Sequence, residues 1–125
     1  MKGIILFAHG ARDARWAEPF LRLQQIVAEQ QPQTQVMLAY LELMSPDLPS
    51  AVAGLVANQI SDISIAPLFL GPGSHLRNDF PVLLAQLKQQ YPTVAFHVLP
   101  SLGESESMLN AIAAWILQGI SHAPD

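Results

Sequence analysis

Apolar and polar positions along this chain fall into two alternating patterns. The first is a short, nearly unbroken apolar run rich in β-branched and aromatic residues. It occurs four times, as "KGIILFA" from Lys2, "TQVMLAYLEL" from Thr34, "DISIAPLFL" from Asp62 and "VAFHVLP" from Val94. Runs of that length with little alternation are the mark of strands buried on both faces. The second pattern has helical spacing. Trp16, Phe20, Leu23 and Val27 recur at i, i+4, i+7 and i+11, with Pro19 placed in the first turn, where a missing N–H costs nothing. "SPDLPSAVAGLVAN" gives a second helix with the stripe Leu48, Val52, Leu55 and Val56. Here Ser45 is read as the N-cap and Pro46 as the first helical residue. "GPGSHLRND" reads as a loop. "DFPVLLAQLKQQY" follows as a helix capped by Asp79, with Phe80, Leu83, Leu87 and Tyr91 inward. "ESESMLNAIAAWILQGI" is the last helix.

The order is therefore β-α four times over. Strands alternating with helices predict βαβ crossovers, an α/β fold with a four-stranded parallel sheet and helices on both faces. The simplest doubly wound order is 2-1-3-4. One domain is expected over residues 1–120, with 121–125 as a C-terminal tail and a loose segment from about Gly119. The last helix adds a detail. Its polar stripe (Glu106, Asn110, Gln118) is narrow, while Met108, Ile112, Trp115, Ile116 and Ile120 cover most of the remaining circumference. Such a helix is expected to pack on two sides, one against its own sheet and the other against a second subunit.

Composition narrows the function classes. Only 13% of the 125 residues are charged, about half of the ~25% usual in soluble domains, which again suggests surface covered by a partner chain. The net charge of −4 argues against a nucleic-acid binder. With no cysteine there is no disulfide, thiolate metal site or thiol catalysis. No apolar stretch reaches the ~20 residues that span a bilayer, so no membrane partner is expected and a cytoplasmic protein is.

Candidate chemistry follows from the topology. In open parallel sheets ligands bind beyond the carboxyl ends of the strands, where the strand order reverses. In a 2-1-3-4 sheet, His9 ends the first strand, Glu42 lies at or just past the second, and His75 sits in the loop after the third. Each residue alone has an ordinary reading, as a turn donor, a carboxylate facing a helix or a solvated loop residue. Together, two imidazoles and a carboxylate without thiolate suit a borderline divalent ion such as Co²⁺, Ni²⁺, Fe²⁺ or Zn²⁺, and three ligands leave positions open. Arg12, Arg15 and Arg77 flank the two histidines, which suits an anionic substrate or ordinary surface. Gly71 and Gly73 permit close backbone approach to a ligand, or merely a tight turn. His97 reads as a sheet residue, His122 as solvated and Asp13 as a helix cap. There is no phosphate-binding G-x-x-x-x-G-K-[ST] loop and no G-x-S-x-G elbow. The His-Gly of "AHGAR" is shared with the Arg-His-Gly of phosphohistidine phosphatases and mutases, but Ala8 stands where their arginine would.

Four segments resemble one family in order: "ILFAHGARD", "AYLELMSPDL", "LFLGPGSHLRNDFP" and "LPSLGES". The chain resembles the small single-domain sirohydrochlorin cobaltochelatases, grouped with the sirohydrochlorin ferrochelatases and nickel chelatases. Ala11 stands where members more often have serine. The resemblance implies ATP-independent insertion of a divalent metal, cobalt foremost with nickel or iron as alternatives, into a sirohydrochlorin-like tetrapyrrole for cobalamin or siroheme. It implies no cofactor beyond that metal. It makes His9 and His75 the metal-handling and catalytic residues, with Glu42 beside them. Arg12, Arg15, Gly73, Ser74 and Arg77 become candidates for substrate binding. Larger relatives carry two facing copies of the domain, so a single copy implies a homodimer. Two other readings stand beside this one. One is a metal- or tetrapyrrole-binding module without turnover; the other is a phosphoryl-transfer enzyme using His9 as nucleophile.

Overall fold

The structure is a computed structural model that describes residues 1–71 and 73–121 and, of Ser74 and His75, the backbone alone. Four strands, β1 (Lys2–Ala8), β2 (Thr34–Tyr40), β3 (Asp62–Pro67) and β4 (Ala95–Val98), form one parallel sheet in the order β2-β1-β3-β4. This is the predicted order. β1 spans its whole apolar run, whereas β2, β3 and β4 are shorter than theirs. "LEL" after β2 and "LFL" after β3 lie beyond the sheet, on its carboxyl edge.

Strand β1 is buried because it is central. Ile5, Phe7 and Ala8 are 1% exposed or less. Its alternate side chains enter two cores. On one face Ile5 and Phe7 join Ala39, Ile63 and Ile65 beneath α2 (Leu48–Ala57) and α3 (Ser74–Gln90). The predicted stripes do this work. Leu48, Val52 and Leu55 of α2 are buried, and α3 brings Leu87 with Phe80, Leu83 and Leu84. On the other face Leu6, Ala8, Leu38 and Tyr40 pack under α1 (Glu18–Gln30) and a preceding 3₁₀ turn, Ala14–Ala17, which supply Phe20, Leu23 and Trp16.

Three boundaries differ from the sequence reading. The cap of α2 is Asp47, not Ser45. Its Oδ1 accepts from the Ser50 amide at 2.9 Å, and the first helical residue is Leu48, not Pro46. Helix α3 begins at Ser74 with Gly73 as its cap residue, so Asp79 lies inside the helix. Pro81, which reads as a first-turn proline, sits inside too; it has no N–H to give the Arg77 carbonyl four residues back. The last helix, α4 (Glu106–Ser121), runs through the segment expected to be loose, and residues 122–125 of the expected tail lie outside the described residues.

The largest departure concerns what α4 packs on. None of its residues is buried, only Ile112 is half-buried, and neither core draws a side chain from it. The expected packing on its own sheet is not made.

Two stability predictions follow. Leu55 is fully buried between α2 and the sheet, so Leu55→Ala should cost about 3 kcal/mol in urea unfolding; a cost below about 1 kcal/mol would contradict this packing. The hydrogen bonds from Ser50 hold the Asp47 carboxyl below its usual value. A lowered folded-state pKa stabilises above the unfolded carboxylate value of about 3.9, and that contribution fades as pH falls through the folded value. Asp47→Ala should therefore lose about 1 kcal/mol at neutral pH and progressively less on acidification. An equal loss at all pH values would contradict the cap.

Candidate active site

The strand order places three segments on one lip: residues 9–15 after β1, 41–47 after β2 and 68–71 after β3, with the first turn of α3 beside them. The β1–β2 ladder continues onto this lip. The Leu41 amide donates to the Ala8 carbonyl at 2.9 Å and the Glu42 amide to the His9 carbonyl at 3.0 Å. On the other side the Leu68 amide donates to the Phe7 carbonyl at 2.8 Å. The residues that follow the strands are thus held almost as firmly as the strands.

Gly10 makes the close approach possible. Its φ is +97°, a region that L side chains rarely adopt, and a Cβ there would overlap the Glu42 carbonyl. Leu43, across from it, also has positive φ (66°), and the Met44 amide closes the turn onto the Glu42 carbonyl at 2.8 Å. The loop is tightly wound around Glu42.

That winding brings the side chains together. His9 Nε2 lies 3.0 Å from Glu42 Oε1, across 33 residues of sequence. A carboxylate can only accept, so Nε2–H donates; in the neutral imidazole Nδ1 then carries the lone pair. Both side chains are a little over half exposed, which leaves the pair accessible. The His9 ring also meets Phe69 at 6.3 Å, nearly perpendicular, and Phe69 in turn packs edge-on against Phe7 at 5.4 Å. The apolar core thus runs up to the imidazole.

The other expected residues are placed as follows. His75 and Ser74 are in the first turn of α3, following Gly73, not in a loop; their side chains lie outside the described residues. Gly73 has open space where a Cβ would stand, and its φ of −72° is ordinary, so neither the backbone nor a protein neighbour requires glycine there. Arg12 is exposed on the segment after His9. Arg15 grips Asp13, with Nη2 to Oδ2 at 2.9 Å, which holds the Asp13 carboxyl below its usual value. Asp13 also caps the 3₁₀ turn, as read from the sequence. Among the described residues no three metal-binding side chains cluster, and two of the expected three meet.

Sequence reasoning missed the cavity beside this pair. A pocket of about 300 Å³ opens at the carboxyl ends of β3 and β4, walled by Phe69, Leu76, Phe80, Leu99 and Pro100, with Arg77 and Glu104 among its lining. Phe69 and Leu76 line this cavity, whereas Met44 and Leu68 pack against the core on the α1 side. The run "LFLGPG" carried the signal, because an apolar run that outlasts its strand extends the apolar surface onto the carboxyl edge. Leu41, Leu43 and Leu70 stand exposed around the lip, Leu43 and Leu70 by about 60%.

Fold and site together define a small doubly wound α/β domain whose carboxyl-edge lip carries an accessible imidazole–carboxylate pair beside an apolar cavity. The chain belongs to the CbiX family, whose model matches residues 3–118. It is 27% identical over 96% of its length to the chloroplastic sirohydrochlorin ferrochelatase of Arabidopsis thaliana, covering 53% of that protein. It is 26% identical over 66% of its length to a sirohydrochlorin cobaltochelatase of Methanosarcina acetivorans, covering 64% of it. The chain thus spans between half and two thirds of the length of these relatives. Among solved structures, a CbiX protein from Marinobacter aquaeolei superposes with a TM-score of 0.83 at 29% identity, over 98% of this chain and 100% of that one. The cobalt complex of the sirohydrochlorin chelatase SirB from Bacillus subtilis superposes at 0.70 over 94% of this chain and half of that one; at 20% identity this likeness concerns the fold.

The Gly10 contact yields a prediction. Gly10→Ala should destabilise the domain by more than about 1 kcal/mol, read by chemical denaturation, because the new Cβ must push the Glu42 backbone away. Unchanged stability would contradict the close approach.

Proposed function

We propose that this domain inserts a divalent metal ion into a sirohydrochlorin-like tetrapyrrole without ATP, cobalt foremost with nickel and iron as alternatives, on the way to cobalamin or siroheme. The observation that carries the reading is the His9–Glu42 pair, 3.0 Å apart on a lip that also exposes Leu41, Leu43 and Leu70. The named activities of the Arabidopsis and Methanosarcina relatives support it.

The chemistry asks for three things. The metal ion, a substrate here, must be held weakly enough to be given up. Two protons leave the pyrrole nitrogens as it enters. A flat, highly carboxylated macrocycle must be seated. The imidazole lone pair at His9 Nδ1 suits a borderline divalent ion that carboxylates alone would bind less selectively. His9 and Glu42 together offer two groups able to take up protons, already sharing one hydrogen bond along which charge can be balanced. His75, in the first turn of α3 on the same lip, is the second metal-handling residue of this reading.

Seating the ring falls to the apolar surfaces. Leu41, Leu43 and Leu70 around the pair, with the Phe69–Phe80 cavity beside it, can cover a macrocycle face. Arg77 at the cavity and Arg12 on the β1 side are placed to meet its carboxylates. Arg15, engaged with Asp13, would have to share its guanidinium. In this reading Gly73 and Ser74 approach the substrate at the start of α3. A second copy of the chain completes the cleft as a homodimer, in line with the low charge fraction and the uncovered α4.

His9→Ala and His75→Ala should each slow metal insertion into sirohydrochlorin by at least ~100-fold, followed by the absorbance change of the macrocycle. Glu42→Gln, which keeps a hydrogen bond but loses the basic carboxylate, should slow it less. Near wild-type rates in both histidine variants would overturn the site.

A further inference from the structure

Helix α4 has 16 residues and one charge, Glu106. Met108, Leu109, Trp115, Ile116, Leu117 and Ile120 are all exposed, Trp115 by 72%. The same chain leaves a second surface bare. On the α1 side of the sheet, α1 and its preceding turn cover β1 and β2, while β3 and β4 present Ser64, Ala66, Ala95, His97 and the following Leu99, none of them buried. Parallel sheets are covered on both faces in almost every fold. A groove of about 280 Å³ runs here between Gln31 and Thr34 on one side and Leu99 on the other, floored by Ile4, Ser64 and Ala66.

These surfaces complement each other. The sheet face offers the small Ser64, Ala66 and Ala95 beside Leu99 and a His97 paired with Asp62 at 3.3 Å, and the helix offers large apolar side chains; small against large lets facing layers interdigitate. Within one chain they are kept apart by the anchor that precedes α4. The Gly103 amide donates to the Phe69 carbonyl at 3.2 Å, and a Cβ on Gly103 would overlap the Leu70 carbonyl. The helix starts directly after this anchor, its first turn closed by the Leu109 amide donating to the Ser105 carbonyl at 2.9 Å.

We infer that the α4 helices are exchanged between two copies of the chain, each seating its Met108–Ile120 stripe on the bare β3–β4 face of the other. This rests on the homodimer reading above and adds where the copies join. Exchange is reciprocal, so one twofold axis satisfies both surfaces of both chains and closes the assembly. The six exposed α4 side chains amount to roughly 600 Å² per helix; doubled, and with the grooves they fill, this reaches the ~1,200–2,000 Å² of stable interfaces.

The chain has no cysteine, so introduced thiols report cleanly. A chain carrying Ala66→Cys and Ile116→Cys, treated with a short bis-maleimide, should give a dimer-sized product. So should a mixture of the two single variants after subunit exchange. Leu99→Cys replaces Ala66→Cys should the latter fail to fold. A monomer-sized product with both thiols consumed would show α4 lying on its own sheet and overturn the exchange; so would no crosslink of either kind. Sedimentation velocity separates the two claims. A wild-type dimer without the cross-copy link sinks the exchange alone, and a wild-type monomer at micromolar concentration sinks the homodimer too. Trp115→Glu with Ile116→Glu should convert the dimer to a monomer that keeps its far-UV circular dichroism; an unaffected dimer would contradict the proposal.

Discussion

The site depends on a hydrogen-bond ladder that outlasts its strands. β1 and β2 end at Ala8 and Tyr40, yet the Leu41 and Glu42 amides still donate to the carbonyls of Ala8 and His9. These two bonds hold the residues after both strands in register. Only a glycine at position 10 lets the backbones come that close. Once they do, His9 and Glu42 have little choice but to meet, and the tight turn through Leu43 and Met44 keeps Glu42 from swinging away.

The sheet then sets what surrounds the pair. Because β1 lies between β2 and β3, its carboxyl end borders both the Glu42 turn and the start of α3. Phe69, two residues past β3 and packed on Phe7, carries the core up to the His9 ring. The result is a polar pair set in an apolar rim, which suits a ligand that is flat and greasy at its centre and charged at its edge.

Both helix stripes that build the larger core were legible in the sequence because each rests on a local periodicity, and the strand order followed from the β-α alternation as the simplest doubly wound arrangement. Ile5 and Phe7 had to be buried wherever β1 went. The lip was legible through topology: His9 and Glu42 stand on adjacent strand ends whatever the loop details. The caps were not. Ser45-Pro46 and Asp79-x-Pro81 both look like helix starts, but Asp47 and Gly73 provide the actual ones, and a helix tolerated Pro81 in its interior. The apolar cavity was hidden because its walls come from β3, α3 and the segment after β4, which are distant in sequence. The placement of α4 was hidden for a different reason. Its apolar face predicts that it must be covered, and says nothing of whose surface covers it; the Gly103 contact that turns it away is a tertiary fact.

The central claim is that the His9–Glu42 lip is where a metal ion enters a tetrapyrrole. The most direct measurement is the initial rate of insertion of Co²⁺, Ni²⁺ and Fe²⁺ into sirohydrochlorin, with and without the protein and without ATP. The account predicts clear acceleration over the uncatalysed rate for at least one of the three ions, with Co²⁺ foremost. No acceleration with any of them would contradict it and leave a binding module.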